Sequence, residues 1–304
     1  MEQSEFQTLT ASDIGLEADL GVLERYKEIQ ASVAPYAPAV PYDREMSQIL
    51  IQCSRLATEQ YLRGEAEPDY DGSIQPLISY SDGLNPFTQT ASLVLQQSAA
   101  ALSFTRSKES SRAYFFGFAL TSPKVNLLIY RGTQERSEWV LNMVTAQQAY
   151  LESEPKYGKI HSGFARIYAP LVEQSRQIIE SLDPALPCYI AGHSLGAALA
   201  PLAAMDISLN TSYPRENLHV YAFGGPRIGD PAFAIAYHQQ IPNSYRVANM
   251  ADVLTILPPT QFRGAEFVPV GQEWRFATQL GDTLPNHVVE TYREAIENQR
   301  EVQV

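Results

Sequence analysis

The sequence predicts an α/β fold with a mainly parallel central sheet flanked by helices. Strand-like segments recur at PCYIAG, NLHVYAFGG and NSYRVANM. Helical patterns alternate with them at FARIYAPLVEQSRQIIESL, HSLGAALAPLAAMDISL and PAFAIAYHQQ. Alternation of this kind favours parallel strands connected by helices. The 304 residues suffice for one large domain of this class or for two smaller ones.

The N-terminal third of the chain predicts two helices that are separated by a proline-rich break. Apolar residues allow a helix over 12–33, and PYAPAVPY at 35–42 ends it. A stronger helical pattern covers 43–63, and we expect this helix to lie on the sheet. The chain is therefore predicted to divide into an N-terminal extension, 1–42, and a folded domain, 43–304.

The segments between 64 and 132 lead into the sheet. Residues 64–86 are polar and rich in turn residues, which predicts a loop with one short strand. TASLVLQQSAAAL at 90–102 is predicted to be a helix. AYFFGFAL and KVNLLIYRG follow as two predicted strands, joined at Ser122 and Pro123.

Composition excludes several classes of function. The net charge of −12, from 34 acidic and 22 basic residues, opposes binding to nucleic acid or to an anionic membrane. Neutral or zwitterionic lipid and uncharged esters stay compatible with it. No apolar run approaches the roughly 20 residues of a membrane span.

The N-terminal residues and the cysteines indicate where in the cell the protein is expected. Residues 1–20 carry acidic residues where a secretory signal carries positive charge, so export by a signal peptide is not expected. Cys53 and Cys188 are the only cysteines and fall on predicted core faces, which favours reduced thiols over a disulfide. We expect a cytoplasmic protein, free or peripheral to an internal membrane.

Gly192-His193-Ser194-Leu195-Gly196 is the most informative motif of the chain, because a predicted strand precedes it and an apolar helix follows it. Such a G-x-S-x-G turn holds the serine hydroxyl at the end of the strand, and its glycines permit the sharp bend. Ser194 is therefore the candidate nucleophile. Leu195, at the start of the helix, can offer its backbone N–H to a developing oxyanion.

A nucleophilic serine needs a base that an acid orients, and these follow it in the order Asp or Glu, then His. His219 and His238 lie in a predicted strand and helix, whereas His287 follows a turn and is the candidate base. The acids in the window are Asp206, Asp230, Asp252 and Asp282. Asp252 directly follows a predicted strand and is favoured, with Asp230 as the alternative.

Together these motifs resemble the class 3 lipases, the family of the fungal Rhizomucor-type triacylglycerol lipases, over about 43–304. The resemblance implies an α/β-hydrolase fold with a helical lid, and it implies that Thr133 of the Arg-Gly-Thr motif contributes to the oxyanion hole. It also matches HSGF at 161–164, AFGGPRIGD at 222–230, Asn249, Asp252 and the pair His287 and Tyr292.

The family places its lid between Thr133 and His161. Here an apolar cluster on a predicted helix occupies that place, formed by Trp139, Val140, Met143 and Val144. Such a face can cover an acyl groove and meet lipid when it opens. The alternative is a packed surface helix without this role.

The sequence thus predicts a serine carboxylic-ester hydrolase that cleaves acyl esters of glycerolipids: acylglycerols, galactolipids or phospholipids. This chemistry needs no metal and no cofactor, and no metal-ligand cluster is visible in the sequence. Two alternatives stay open: a non-catalytic lipase-like scaffold, and an esterase for small or aromatic acyl groups.

Overall fold

A computed structural model describes residues 38–74, 87–96, 113–132, 146–281 and 283–298. Its helices are α1 Arg44–Ala66, α2 Ser162–Tyr168, α3 Val172–Ser181, α4 Leu195–Asn210, α5 Pro231–Gln240, α6 Thr283–His287 and α7 Val289–Asn298. Its strands are β1 Thr88–Gln96, β2 Ala113–Thr121, β3 Asn126–Tyr130, β4 Gln147–Ala149, β5 Lys159–His161, β6 Cys188–His193, β7 Leu218–Phe223, β8 Asn243–Asn249, β9 Gln261–Phe262, β10 Ala265–Glu266 and β11 Gln272–Phe276.

A seven-stranded sheet in the order β1-β2-β3-β6-β7-β8-β11 organises the described chain. Strands β3, β6, β7, β8 and β11 run parallel to one another, while β1 and β2 add an antiparallel edge. The carboxyl ends of the parallel strands therefore meet at one edge, which is where ligands bind in open α/β sheets. The predicted α/β architecture with a mainly parallel sheet is confirmed.

Helices cover both faces of this sheet. On one face, α2 to α5 pack against apolar side chains of the strands. On the other face, α1 packs with α7 over a second apolar cluster. The prediction of a long helix on the sheet at 43–63 is therefore confirmed; Asp43 caps its first turn by accepting a hydrogen bond from the Met46 N–H at 2.9 Å.

The predicted helix at 90–102 is wrong over the residues that the structure describes there. Residues 88–96 form β1, paired antiparallel with β2. The register shifts between Gln89 and Ala91 and again between Leu93 and Val94. These irregularities break the strict alternation of a half-buried strand, so the apolar spacing resembles that of a helix.

Other expectations have mixed outcomes. Cys53 and Cys188 are buried free thiols, as predicted, and burial raises the pKa of each. Strand β11, at the sheet edge, is not among the strands that the sequence predicts. The predicted helix at 12–33 and most of the extension 1–42 lie outside the described residues, so that domain division stays a prediction.

Candidate active site

Ser194 occupies a sharp bend between β6 and α4, at the carboxyl edge of the sheet. Its backbone angles, φ 58° and ψ −118°, are in a region that non-glycine residues rarely adopt. The Ser194 N–H donates to the carbonyl oxygen of Phe223 at 2.9 Å, and the Ser194 carbonyl accepts from the Ala197 N–H at 3.0 Å. Both ends of the strained residue are thereby held.

The two glycines of the motif are required by close backbone contacts. A Cβ on Gly196 would lie 2.2 Å from the Tyr130 carbonyl oxygen. A Cβ on Gly192 would lie 2.4 Å from the carbonyl carbon of Gly196 and 2.6 Å from the same Tyr130 oxygen. The absence of these side chains lets α4 begin against β3 and β6, which brings Ser194 to the open edge.

His287 and Asp252 meet Ser194 at this edge from two later segments of the chain. Asp252 follows β8 and caps the 3-10 turn Val253–Ile256, and His287 ends α6. The Nε2 atom of His287 lies 2.8 Å from the Ser194 Oγ, and its Nδ1 lies 2.7 Å from the Asp252 Oδ2. The residues that were selected from the sequence therefore form one hydrogen-bonded chain.

The chemistry of the three groups determines the direction of these hydrogen bonds. An ionised carboxylate only accepts, so the Nδ1 atom of His287 carries the proton and donates to Asp252. The Nε2 atom of the neutral ring is then an acceptor for the Ser194 hydroxyl. This tautomer is the one that can remove the serine proton.

Asp252 is held by two further donors. Its Oδ1 accepts from the Leu254 N–H at 3.0 Å, and its Oδ2 accepts from the Tyr292 hydroxyl at 2.6 Å. The Tyr292 hydroxyl in turn accepts from the Asn249 N–H at 3.2 Å. The Asp252 side chain is fully buried, so these donors replace the water that a carboxylate otherwise requires.

His193 contacts the base from the nucleophile strand. Its Nε2 lies 2.7 Å from the carbonyl oxygen of His287, and the two rings are 4.8 Å apart. Burial, with the neighbouring His287 ring as a second cause, lowers the pKa of His193 well below its ordinary value. A neutral His193 therefore donates its Nε2 proton and holds the His287 backbone. Sequence reasoning passed over this residue because it precedes the serine.

Asn249 joins the loops around the site. Its side-chain amide donates to the carbonyl oxygens of Thr278, at 2.9 Å, and Asn286, at 3.0 Å. Its Oδ1 accepts from the Thr278 N–H at 3.0 Å. The resemblance to the family pointed to Asn249, but its contacts with the segment that carries His287 emerge only from the structure.

The remaining predicted site residues divide into two groups. Leu195 is the first residue of α4, so its N–H has no acceptor four residues earlier in the helix and lies at the positive end of the helix dipole. Thr133, Trp139, Val140, Met143 and Val144 lie outside the described residues, as does the predicted helical lid. Gly132, just before Thr133, lies against the nucleophile: a Cβ there would be 3.4 Å from the Ser194 Cβ.

The other candidate acids have separate structural tasks. Asp230 caps α5 by accepting from the Phe233 N–H at 2.8 Å. Asp206, on α4, is paired with Arg176, whose Nε lies 3.0 Å from its Oδ2. Asp282 lies outside the described residues. Of the described candidates, Asp252 is therefore the one in contact with His287.

The other two histidines that follow Ser194 in the sequence lie buried in the fold. His219 stacks on Tyr189 with ring centres 4.7 Å apart. The Nε2 atom of His238 accepts from the Gly271 N–H at 3.3 Å. Burial lowers the pKa of each to about 4, so both are neutral at pH 7. Among the described residues, neither is hydrogen-bonded to Ser194, His287 or Asp252.

Over the described parts of the chain, no helix is long and apolar enough to cross a membrane. Within the same residues there is no group of three or more histidine, cysteine or acidic side chains arranged to hold a metal ion.

Sequence comparison matches residues 127–262 to the family described as Lipase (class 3). A lipase of Rhizomucor miehei is 32% identical over 176 residues, which cover 54% of this chain and 45% of the relative. Phospholipase A1 EG1, chloroplastic/mitochondrial, of Oryza sativa subsp. indica is 29% identical over 187 residues, which cover 52% of this chain and 42% of the relative. The chain therefore spans less than half the length of these relatives.

Structural comparison gives the same fold. A lipase from Rhizopus microsporus var. chinensis has a TM-score of 0.57 and 21% identity, covering 79% of this chain and 76% of its own. A triacylglycerol lipase described as having a serine-protease triad as its catalytic centre has a TM-score of 0.55, also at 21% identity, with coverages of 77% and 81%. These similarities establish the α/β-hydrolase fold of the fungal lipases.

Proposed function

We propose that the chain is a serine hydrolase of the class 3 lipase family, which residues 127–262 match, and that it cleaves acyl esters of glycerolipids. The observation that carries the proposal is the hydrogen-bonded chain from Ser194 through His287 to Asp252, with 2.8 Å and 2.7 Å between the paired atoms. Each group has the chemistry that acyl transfer needs: nucleophile, base and orienting acid.

In the proposed mechanism, the Ser194 Oγ attacks the ester carbonyl carbon while the Nε2 atom of His287 takes the hydroxyl proton. The carbonyl π-electrons move to oxygen and form a tetrahedral oxyanion. His287 then protonates the alcohol oxygen as the C–O bond breaks, leaving an acyl-enzyme. Water repeats the sequence and releases the fatty acid. Asp252 stabilises the His287 cation without taking its proton.

The oxyanion is assigned to two backbone donors. The Leu195 N–H is at the N-terminus of the 16-residue helix α4, where the dipole favours negative charge. The resemblance assigns the second donor to Thr133, and the contact of Gly132 with Ser194 supports that assignment because it brings the preceding residue to the site. Such donors act chiefly on the transition state.

A lipid substrate is favoured by apolar side chains beside the proposed triad. Met250, two residues before Asp252, is 57% exposed, and Val288, directly after His287, is 47% exposed. Large exposed apolar groups next to a catalytic site suit an acyl chain or a lipid surface. The similarity to proteins named lipase and phospholipase A1 supports acylglycerols or phospholipids as the substrate class.

The net charge of −12 supports a neutral or zwitterionic lipid interface over an anionic one. A cytoplasmic location, free or peripheral to an internal membrane, is part of the proposal. Cell fractionation tests it: recovery of the protein outside the cytosol and its membranes would contradict it.

The test is hydrolysis of p-nitrophenyl butyrate and p-nitrophenyl palmitate by the wild type and by Ser194→Ala, each checked for folding by circular dichroism. We expect turnover by the wild type and loss of activity in the variant. A preference for palmitate supports a lipase groove, since each buried CH₂ contributes about 0.8 kcal/mol. A preference for butyrate would favour the small-ester alternative.

A folded wild type that is inert on both esters, with and without detergent, would overturn the proposal in favour of a non-catalytic scaffold. Labelling of Ser194 by a fluorophosphonate probe gives an independent readout. This probe reacts with an activated serine whichever acyl chain the groove prefers, so absence of labelling in the wild type would contradict nucleophilic activation itself.

A further inference from the structure

Arg246 is a buried arginine in the middle of β8. Its Nη1 pairs with the Oε1 of Glu273, which lies directly opposite on β11. Its Nη2 donates to the carbonyl oxygen of Thr255 and lies 3.5 Å from the carbonyl oxygen of Gly225. The Arg246 guanidinium therefore connects the edge strand of the sheet to Thr255, three residues after Asp252.

Thr255 belongs to the short segment that presents Asp252 to His287, called here the acid turn (252–256). The Thr255 N–H donates to the Asp252 carbonyl oxygen at 3.2 Å, and the Thr255 Oγ1 donates to the same oxygen at 2.8 Å. Arg246 thus binds a residue whose two donors hold the backbone of the proposed acid.

Fold stability alone is a weak explanation for this buried ion pair. The side chains of Arg246 and Glu273 are 7% and 19% exposed. Removing both charges from water costs about as much as their attraction returns, and apolar side chains of similar volume often stabilise a fold equally well. Among the described residues, the buried Arg246 Nε also has no hydrogen-bond acceptor. An apolar side chain could not supply the contact with the Thr255 carbonyl oxygen.

The charge of Arg246 also acts on a hydrogen-bond donor of Asp252. Burial, together with the neighbouring Asp252, raises the pKa of Tyr292 well above its ordinary value, and the Arg246 cation is among the groups that oppose this rise. The Tyr292 hydroxyl donates to the Asp252 Oδ2, the same oxygen that faces the Nδ1 of His287. Arg246 is therefore linked to the acid through the acid turn and through its electrostatic effect on Tyr292.

We propose that Arg246 is a positioning residue for Asp252, and that it acts by binding Thr255 and Glu273 together so that the acid turn stays fixed against the sheet. The inference rests on the proposed function. Glu273 fixes the cation from the neighbouring strand, the cation restrains the Thr255 carbonyl, and the donors of Thr255 restrain the Asp252 backbone. Asp252 then keeps its 2.7 Å contact with His287 while that ring gains and loses its proton.

This role has a signature that a merely structural arginine lacks. A loosened acid turn weakens the hydrogen bond between Asp252 and His287, which acts in the chemical step, so kcat is expected to fall while KM changes little. The proton that His287 Nδ1 donates to Asp252 is expected to give a low-field proton resonance, and the same loosening should shift or broaden it. Loss of fold stability alone would lower the urea unfolding midpoint and leave both readouts unchanged in the folded protein.

The experiment compares Arg246→Met and Arg246→Lys with a matched control, Arg275→Met. Arg275 pairs with the other oxygen of the same carboxylate, since its Nε lies 2.6 Å from the Glu273 Oε2. For each folded variant we would measure kcat and KM on p-nitrophenyl butyrate, the urea unfolding midpoint, and the Nδ1 proton resonance. The variant His287→Gln identifies this resonance by its absence.

For Arg246→Met we expect kcat to fall by about 10- to 100-fold at nearly constant KM, since a small displacement of a catalytic group can cost about 100-fold. This loss is smaller than the factor of about 10⁴ expected when the acid itself is replaced. Arg246→Lys keeps the charge, but its single ammonium cannot reproduce the two-pronged geometry of the guanidinium, so an intermediate kcat is expected. Arg275→Met should match the wild type in kcat and in the Nδ1 resonance.

Unchanged kcat and an unchanged Nδ1 resonance in folded Arg246→Met would overturn the role. An equal loss of kcat in Arg275→Met would also overturn it, because the effect would then belong to Glu273 and the edge strand. If Arg246→Met does not fold, Arg246→Lys carries the comparison, and wild-type values for it would overturn the role in the same way.

The proposed function fails separately, through an inert wild type in which Ser194 is not labelled by a fluorophosphonate. An active wild type with unaffected Arg246 variants contradicts only the further inference.

Discussion

Replacement of Asp252 by asparagine is the sharpest perturbation of the proposed triad, because the donor that faces each of its two carboxylate oxygens is known. Oδ2 accepts from the His287 Nδ1–H and from the Tyr292 hydroxyl, and Oδ1 accepts from the Leu254 N–H. Asparagine is nearly the same size, but one of its two terminal atoms is a donor. Whichever way the amide turns, at least one donor meets another donor.

Two orientations of the new amide are available. With its oxygen toward Leu254, the amide NH₂ faces His287, which must then accept at Nδ1 and carry its proton at Nε2. That tautomer cannot take the Ser194 proton. With the oxygen toward His287, the buried Leu254 N–H loses its acceptor, at a cost of about 1–3 kcal/mol. The cost of leaving the Leu254 N–H unpaired thus disfavours the orientation that keeps the catalytic tautomer.

The expected size of the effect follows from the first orientation. Loss of the correct tautomer in a Ser-His-Asp triad costs about 10⁴ in kcat, equivalent to about 5 kcal/mol of transition-state stabilisation. The assay is p-nitrophenyl ester hydrolysis, with urea unfolding of the same samples. Asp206→Asn is the matched control, since that aspartate is also buried but is paired with Arg176.

We expect Asp252→Asn to lose about 10⁴ in kcat with a free energy of unfolding within about 3 kcal/mol of the wild type. Asp206→Asn should keep its kcat. A kcat for Asp252→Asn within about tenfold of the wild type, in a folded protein, would refute the reasoning from tautomers.

Three further predictions concern stability. Gly196→Ala places a Cβ 2.2 Å from the backbone oxygen of Tyr130, and we expect a loss of about 3 kcal/mol or more in urea unfolding; wild-type stability would contradict this. Tyr292→Phe removes the hydrogen bond to Asp252 and leaves the Asn249 N–H without its acceptor; we expect a loss of about 2–4 kcal/mol and a smaller fall in kcat than in Asp252→Asn. Stability should also fall from pH 6.5 toward pH 4, because buried histidines that stay neutral in the folded protein take up protons only on unfolding, at up to about 1.4 kcal/mol per pH unit each. Burial lowers the pKa of three of them to about 4: His161, His219 and His238. His219→Gln should flatten this dependence in thermal melts between those pH values, and an unchanged slope would contradict the assignment.

Local patterns made much of the sheet predictable. The strands β2, β3, β6, β7 and β8, and the helices between β6 and β8, fall where apolar runs and helical periodicity indicated. The helix predicted at 90–102 failed because the bulged pairing with β2 determines the conformation of β1. Strand β11 was not predicted because its conformation depends on pairing with β8, whose paired residues lie 27 positions earlier in the sequence.

The candidate site likewise combines residues that local sequence predicts with contacts that only the structure shows. The sequence predicted the turn at Gly192, Ser194 and Gly196, because a sharp strand-to-helix bend requires particular residue types at adjacent positions. The choice of Asp252 over Asp230 rested on its position directly after a predicted strand, and the structure supports it by the contact of Asp252 with His287. No local pattern indicated the His193 contact with the His287 carbonyl oxygen, which joins residues 94 positions apart.

By itself the sequence determined the alternation of strands and helices, the strained serine turn and the order in which the proposed catalytic groups follow one another. These features depend on backbone sterics and on apolar periodicity, which act over a few neighbouring residues. Only the tertiary structure decided which donors hold Asp252, that His193 supports His287, and that Arg246 binds the Thr255 carbonyl. Those contacts depend on how the strand ends meet at one edge of the sheet, and that arrangement is set by packing across the whole domain.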